Sequence, residues 1–156
     1  MIVFLDLDGV LVHEGRAFQP ARGNVSEDAM KAFNQLVKEI DAEVVFISNR
    51  RRFGDPENLK TILRQEGFEG KFHDDFCIRT SLVPLSRGKG IDDWCEKHSI
   101  KPEDYIILDD KTRGLAPHHI ERLMQTSTRR LLTLENVEEI CNALAQQTKL
   151  GHGNSL

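Results

Sequence analysis

Cysteine is scarce in this chain: three residues in 156, namely Cys77, Cys95 and Cys141. They are odd in number, far apart and never in a Cys-x-x-Cys pair. That argues against a disulfide framework or a zinc ribbon and predicts a reducing, cytoplasmic compartment. An excess of basic charge is also missing. The net charge is −4, so there is no global footprint of a broad nucleic-acid binder, which leaves only a local patch open. Long apolar runs are absent too. The opening Met1-Ile2-Val3-Phe4-Leu5 is broken at once by Asp6 and Asp8, and the expectation is no signal peptide, no membrane span and no membrane partner. No internal repeat is found. What is present is 39% hydrophobic and 29% charged residues, which fits one globular domain with a real core.

Short β-rich runs alternate with longer helical ones. Ile2–Asp6, Glu43–Ser48 and Tyr105–Asp109 read as buried strands, Lys71–Ile78 as a further strand and Arg130–Thr133 as a short one. Ser26–Ile40 reads as a helix, capped by Ser26 and with Glu27 and Asp28 in its first turn. Asp55-Pro56-Glu57 starts a second helix, with an acceptor at the cap and proline at the first position. Gly88–His98, Pro117–Gln125 and Leu134–Gln147 complete the helices. Strands alternating with helices predict an α/β fold: a doubly wound, three-layer α/β/α sandwich on a mostly parallel sheet. Residues 1–147 are expected to form the domain and 148–156 a flexible tail.

In such a sheet, ligands bind beyond the carboxyl ends of the strands. The first strand ends in Asp6-Leu7-Asp8-Gly9-Val10. Two carboxylates two residues apart leave a strand close together and repel unless a cation or proton intervenes. Gly9 permits a tight turn or a close approach. The second strand ends in Ser48-Asn49 and the third in Asp109-Asp110. Lys89, in Arg87-Gly88-Lys89-Gly90, opens a helix, where the dipole and free N–H groups favour an anion. Each element alone is ordinary turn, cap or surface chemistry. Their joint placement at one edge predicts acids for a metal beside a hydroxyl and a lysine for a phosphate.

That order resembles the haloacid dehalogenase (HAD) superfamily of aspartate-dependent phosphohydrolases. Phe4-Leu5-Asp6-Leu7-Asp8-Gly9-Val10 is similar to its first motif, Phe46-Ile47-Ser48 to the second, Lys89 to the third, and Ile106-Ile107-Leu108-Asp109-Asp110 to the fourth. A two-component receiver domain uses similar groups, but there the acidic pair comes first and the phosphorylated Asp follows a later strand. The resemblance implies phosphate-ester hydrolysis through an aspartyl-phosphate on Asp6, with Asp8 as general acid and then base. It implies Mg²⁺ held by Asp6, the carbonyl of Asp8, and Asp109 or Asp110. Ser48, assisted by Asn49, would bind the phosphoryl oxygens beside Gly9, and Lys89 would offset their charge.

The intervals Asp8–Ser48 and Ser48–Lys89 are too short for a sizeable cap domain. By family logic such a site is open and suits a macromolecular phosphate, on a protein or a nucleic-acid end, or a small metabolite if an oligomer supplies the lid. Short capless members whose strand ends in Leu-Asp-Asp resemble the HAD domains of multidomain RNA-repair proteins. The capless protein phosphatases differ at Val10, where their first motif carries Thr. Arg50, with Arg51 and Arg52, follows the second motif and reads either as a solvated basic turn or as guanidinium groups for a further phosphate or an acidic substrate segment, with Arg16, Arg22 and Arg79 as additions to such a patch. His118 and His119 are adjacent on an expected helix, so their side chains are expected to point apart rather than share a metal. Trp94 reads as a core anchor, and His73 with Asp74-Asp75 as a strand-edge feature. The competing reading is a HAD-like binding or regulatory module without turnover.

Overall fold

The structure, a computed structural model, describes residues 1–13, 25–47, 55–78 and 86–153. Five strands, β1 (Ile2–Leu5), β2 (Glu43–Phe46), β3 (Lys71–Cys77), β4 (Tyr105–Asp109) and β5 (Leu123–Gln125), alternate with five helices. These are α1 (Glu27–Glu39), α2 (Pro56–Gln65), α3 (Ser86–His98), α4 (Pro117–Ile120) and α5 (Leu134–Gly153). The sheet order is β3-β2-β1-β4-β5, and every pairing is parallel. The expected doubly wound α/β sandwich is what the chain forms, and no cap-sized element interrupts it among the described residues.

Central parallel strands are covered on both faces, which is why their runs are apolar throughout. All of β1 and β4 is buried. Side chains alternate between faces. Val3 and Leu5 enter one core with Met30, Phe33 and Leu36 of α1, Leu59 of α2, and Val137 and Ile140 of α5. Ile2 and Phe4 enter the other with Ile91, Trp94 and Cys95 of α3. Phe4 meets Trp94 and Tyr105 edge-on, each with ring centroids 5.3 Å apart.

The helix starts follow their local chemistry. Ser26 Oγ accepts from the Ala29 N–H at 3.2 Å, and Asp55 Oδ1 accepts from the Glu57 N–H at 3.1 Å ahead of Pro56. Three expectations need correction. The helix foreseen over Pro117–Gln125 ends at Ile120, and Leu123–Gln125 pairs with Ile107–Asp109 as β5. The open edge of β4 captures a segment whose own composition favours helix. Arg130–Thr133 is no strand: Leu131 takes φ +60° and closes a tight turn onto Ser127. The last helix runs past Gln147 to Gly153, so the expected tail is largely helical; extending an existing helix is far easier than nucleating one. Residues 154–156 lie outside the described set. No helix among the described residues is long and apolar enough to cross a membrane, and Cys77, Cys95 and Cys141 are free.

Connections from β1 through β2 to β3 build out on one side of β1, whereas β4 and β5 lie on the other. The direction of winding therefore reverses between β1 and β4. A crevice at the carboxyl ends of those two strands is where a ligand site belongs in this architecture.

Candidate active site

Register fixes the heart of the site. Leu5 pairs with Leu108, so the next pair across β1 and β4 is Asp6 and Asp109, and the Asp6 N–H donates to Leu108 O at 3.1 Å. Both acids follow the parity of Phe4 and Ile107 and face the α3 side of the sheet. Asp6 is 14% exposed and Asp109 fully buried. Asp110 joins them: one carboxylate oxygen from each of Asp6, Asp109 and Asp110 lies within 4.8 Å of the others.

The glycine after the acidic pair is required by shape. Gly9 takes φ +75°, and a Cβ there would lie 2.2 Å from the Asp110 carboxylate carbon. Two threonines that the sequence reading passed over brace this contact. Thr126 Oγ1 donates to Gly9 O at 2.7 Å, and Thr128 Oγ1 donates to Asp110 Oδ2 at 3.0 Å. Gln125 Nε2 donates to Asp110 O at 3.0 Å, and the Lys111 N–H donates to Asp109 Oδ1 at 3.0 Å. Asp8 is half-buried and close enough to Asp6 to act on its charge.

Among the described residues, the cation at these acids is Arg87. Its guanidinium lies 3.2 Å from Asp6 Oδ2 and 2.5 Å from Asp109 Oδ2. Lys89, expected there, instead sits on the outer face of α3, paired with Asp93 at 2.7 Å, both largely exposed. Residues two apart on a helix point to opposite sides. Arg87 falls on the buried stripe that continues through Ile91, Trp94 and Cys95, and Lys89 falls opposite. That spacing was readable in the sequence.

Burial pushes the Asp6 carboxyl up to about 6, with Arg87 pulling it down and Asp8 and Asp110 adding to the rise. Burial likewise pushes Asp109 up to about 7, opposed by Arg87 and reinforced by Asp6. Asp109 Oδ2 touches Arg87 but receives no well-directed hydrogen bond. The contact is thus ionic rather than a guanidinium fork. A buried carboxylate oxygen without a directed donor, in an all-oxygen cluster of three acids, suits a hard divalent cation. The donor set therefore fits Mg²⁺.

Ser48, Asn49 and Arg50 lie outside the described residues, as do Arg51, Arg52, Arg16, Arg22 and Arg79. His118 and His119 do not point apart. Both Nε2 atoms reach Asp92 Oδ1, at 3.0 and 2.8 Å, because α4 is a single turn whose two long imidazoles converge on one carboxylate from α3. Trp94 is a core anchor as expected, and its Nε1–H donates to Asp75 O at 3.1 Å. Asp75 in turn pairs with His98 at 2.8 Å and Lys97 at 3.1 Å, tying β3 to the end of α3. A groove of about 330 Å³ lined by Val37, Asp41 and Gly70 lies at the opposite, amino end of the sheet.

A family model described as the HAD domain in Swiss Army Knife RNA repair proteins matches residues 2–137. No curated protein matches the sequence.

Proposed function

From the premise that the chain belongs to the family of HAD domains found in Swiss Army Knife RNA repair proteins, we propose that it is a Mg²⁺-dependent phosphatase acting on a phosphorylated nucleic-acid end. The observation that carries this reading is the convergence of Asp6, Asp109 and Asp110 at the switch point of the sheet, with Arg87 against two of them. Asp6, Asp109 and Asp110, with the Asp8 carbonyl, would hold the ion. Bound there, it would offset the charge that otherwise opposes attack of a carboxylate on a phosphate dianion.

In this reading an Asp6 carboxylate oxygen attacks phosphorus, and the bond to the leaving oxygen breaks. Asp8 gives that oxygen its proton. Asp8, now ionised, takes a proton from water as the water oxygen attacks the aspartyl-phosphate. Phosphate leaves, and Asp6 is restored as a carboxylate. Arg87 serves Asp6 and the phosphoryl oxygens as the fixed cation that the resemblance had assigned to Lys89. Ser48 and Asn49 remain candidates for phosphoryl binding, and Arg50 for a neighbouring phosphate.

The substrate class draws support from the rim. The loops after β4 and β5 are tethered to the acids through Lys111 and Thr128. Just beyond the tethers they carry exposed Arg113, Arg129 and Arg130. Cations flanking a one-phosphate site suit a polyanion whose further phosphates lie alongside. The test is phosphate release from 5′- and 3′-phosphorylated RNA and DNA oligonucleotides, phosphopeptides and para-nitrophenyl phosphate, with Mg²⁺ or EDTA. Mg²⁺-dependent release that Asp6→Asn abolishes, with an oligonucleotide preferred, supports the proposal. Turnover that is unchanged in Asp6→Asn sinks it.

A second reading, binding without turnover, is favoured by one observation: the Arg87 guanidinium already lies against both Asp6 and Asp109. It predicts oligonucleotide binding by a chain that releases no phosphate under any of these conditions.

A further inference from the structure

His119 is 1% exposed, in the single turn of α4. Both its ring nitrogens are engaged. The Ala116 N–H donates to Nδ1 at 3.0 Å, so the ring proton sits on Nε2. That N–H donates to Asp92 Oδ1 at 2.8 Å, and His118 Nε2 approaches the same oxygen at 3.0 Å. Two imidazoles and a carboxylate this close have the makings of a metal site. A metal at Nε2, however, needs a bare lone pair on the atom that the Ala116 bond leaves protonated. The cluster is therefore a hydrogen-bonded strut between α3 and α4.

The strut bears on the first turn of α3. The Gly88 N–H donates to Gly114 O at 2.9 Å. A Cβ at position 88 would lie 2.7 Å from His119 Cε1 and 2.8 Å from Gly114 O, so the helix rests its backbone directly on the imidazole. Arg87, one residue earlier, spans from that turn to Asp6 and Asp109.

We infer that His119 is a positioning residue: bridging Asp92 and Gly88, it seats the amino end of α3 and so sets the Arg87 guanidinium between Asp6 and Asp109. The catalytic consequence rests on the phosphatase reading; the seating itself does not.

His119→Asn keeps an acceptor for the Ala116 N–H but is too short to reach Asp92, whereas His119→Gln places an amide N–H where Nε2 stood. Steady-state release from para-nitrophenyl phosphate with Mg²⁺ is measured for both, alone and combined with Arg87→Ala. Amide exchange at Gly88 is measured in parallel. A displacement of about 1 Å at a charged group costs on the order of 10- to 100-fold in rate. The expected result is a fall of that size in kcat for His119→Asn, with KM little changed and most of the rate restored in His119→Gln. In the Arg87→Ala background His119→Asn adds nothing, because the two act as a unit. Gly88 exchange quickens in His119→Asn. Additive losses, no rescue by Gln, or unchanged exchange at Gly88 would overturn the inference. If the wild-type chain releases no phosphate, the phosphatase reading fails on its own, and Gly88 exchange alone then decides the seating.

Discussion

Arg87→Met tests the electrostatics of the site most directly. Methionine keeps much of the stem and removes the charge, leaving Asp6 and Asp109 facing each other out of water. Removing one partner of a buried ion pair costs about 3–5 kcal/mol when the remaining charge stays ionised. These acids need not stay ionised, because Asp6 already titrates at about 6 and Asp109 at about 7, and Arg87 is what holds them that low. Its loss raises both further. A carboxyl whose native pKa lies above its unfolded value of 3.8 binds more protons when folded, so stability falls as pH climbs from about 4 through the native pKa. At pH 5 the variant escapes its penalty by keeping its protons. At pH 8 it cannot. The expected destabilisation is therefore under about 1 kcal/mol at pH 5 and about 3–5 kcal/mol at pH 8, the latter roughly 10 °C in Tm for a chain of this length. Urea unfolding of both proteins in EDTA at the two pH values measures it. An equal loss at both, or a larger loss at pH 5, would refute the account of Arg87 as the group that lets these acids ionise.

The remaining expectations concern single contacts. Arg87→Ala should lower phosphate release about 10²–10³-fold, as loss of a preorganised charge does elsewhere. Lys89→Ala should leave kcat and Tm unchanged; a large fall in the lysine variant would return the cationic role to the outer face of α3. Gly9→Ala forces a side chain into the left-handed region and against Asp110, and should cost about 2–4 kcal/mol in chemical unfolding while weakening Mg²⁺ uptake by calorimetry. Thr126→Val strips the buried Gly9 carbonyl of its donor and should cost about 1–3 kcal/mol. A variant as stable as the parent would show that water replaces the hydroxyl.

The sequence made the strands bearing the acids legible, because a run such as Tyr105–Asp109 is apolar on both faces and ends abruptly in charge. Capping residues placed α1 and α2 for an equally local reason. β5 was not legible, since Leu123-Met124-Gln125 has no strand preference and pairs only because β4 offers an edge. That Arg87 rather than Lys89 faces the acids was legible in the helical stripe through Ile91 and Trp94, whereas motif spacing pointed to Lys89. Thr126 and Thr128 carried no local signal at all: Gly9 lies 117 positions from Thr126, and Asp110 lies on the far side of α4 and β5 from Thr128, 18 positions away. The convergence of His118 and His119 likewise depended on Asp92, a residue on another helix.

The hydrogen bond from Thr126 to Gly9 joins residues 117 positions apart, and the β1–β4 register beneath it spans nearly as much chain. The site therefore has no existence in any short stretch of the polypeptide. Strands β1, β2 and β3 can associate while Asp6 is still alone in water. Only when β4 docks along β1 do Asp6, Asp109 and Arg87 meet. Contacts of such sequence separation are slow to close. If the carboxylates meet after the folding barrier, relieving their repulsion by Asp109→Asn should slow unfolding and leave the refolding rate alone, a division that a chevron plot reads directly. The acids gathered at this edge would then govern how long the folded chain lasts, and not how fast it forms.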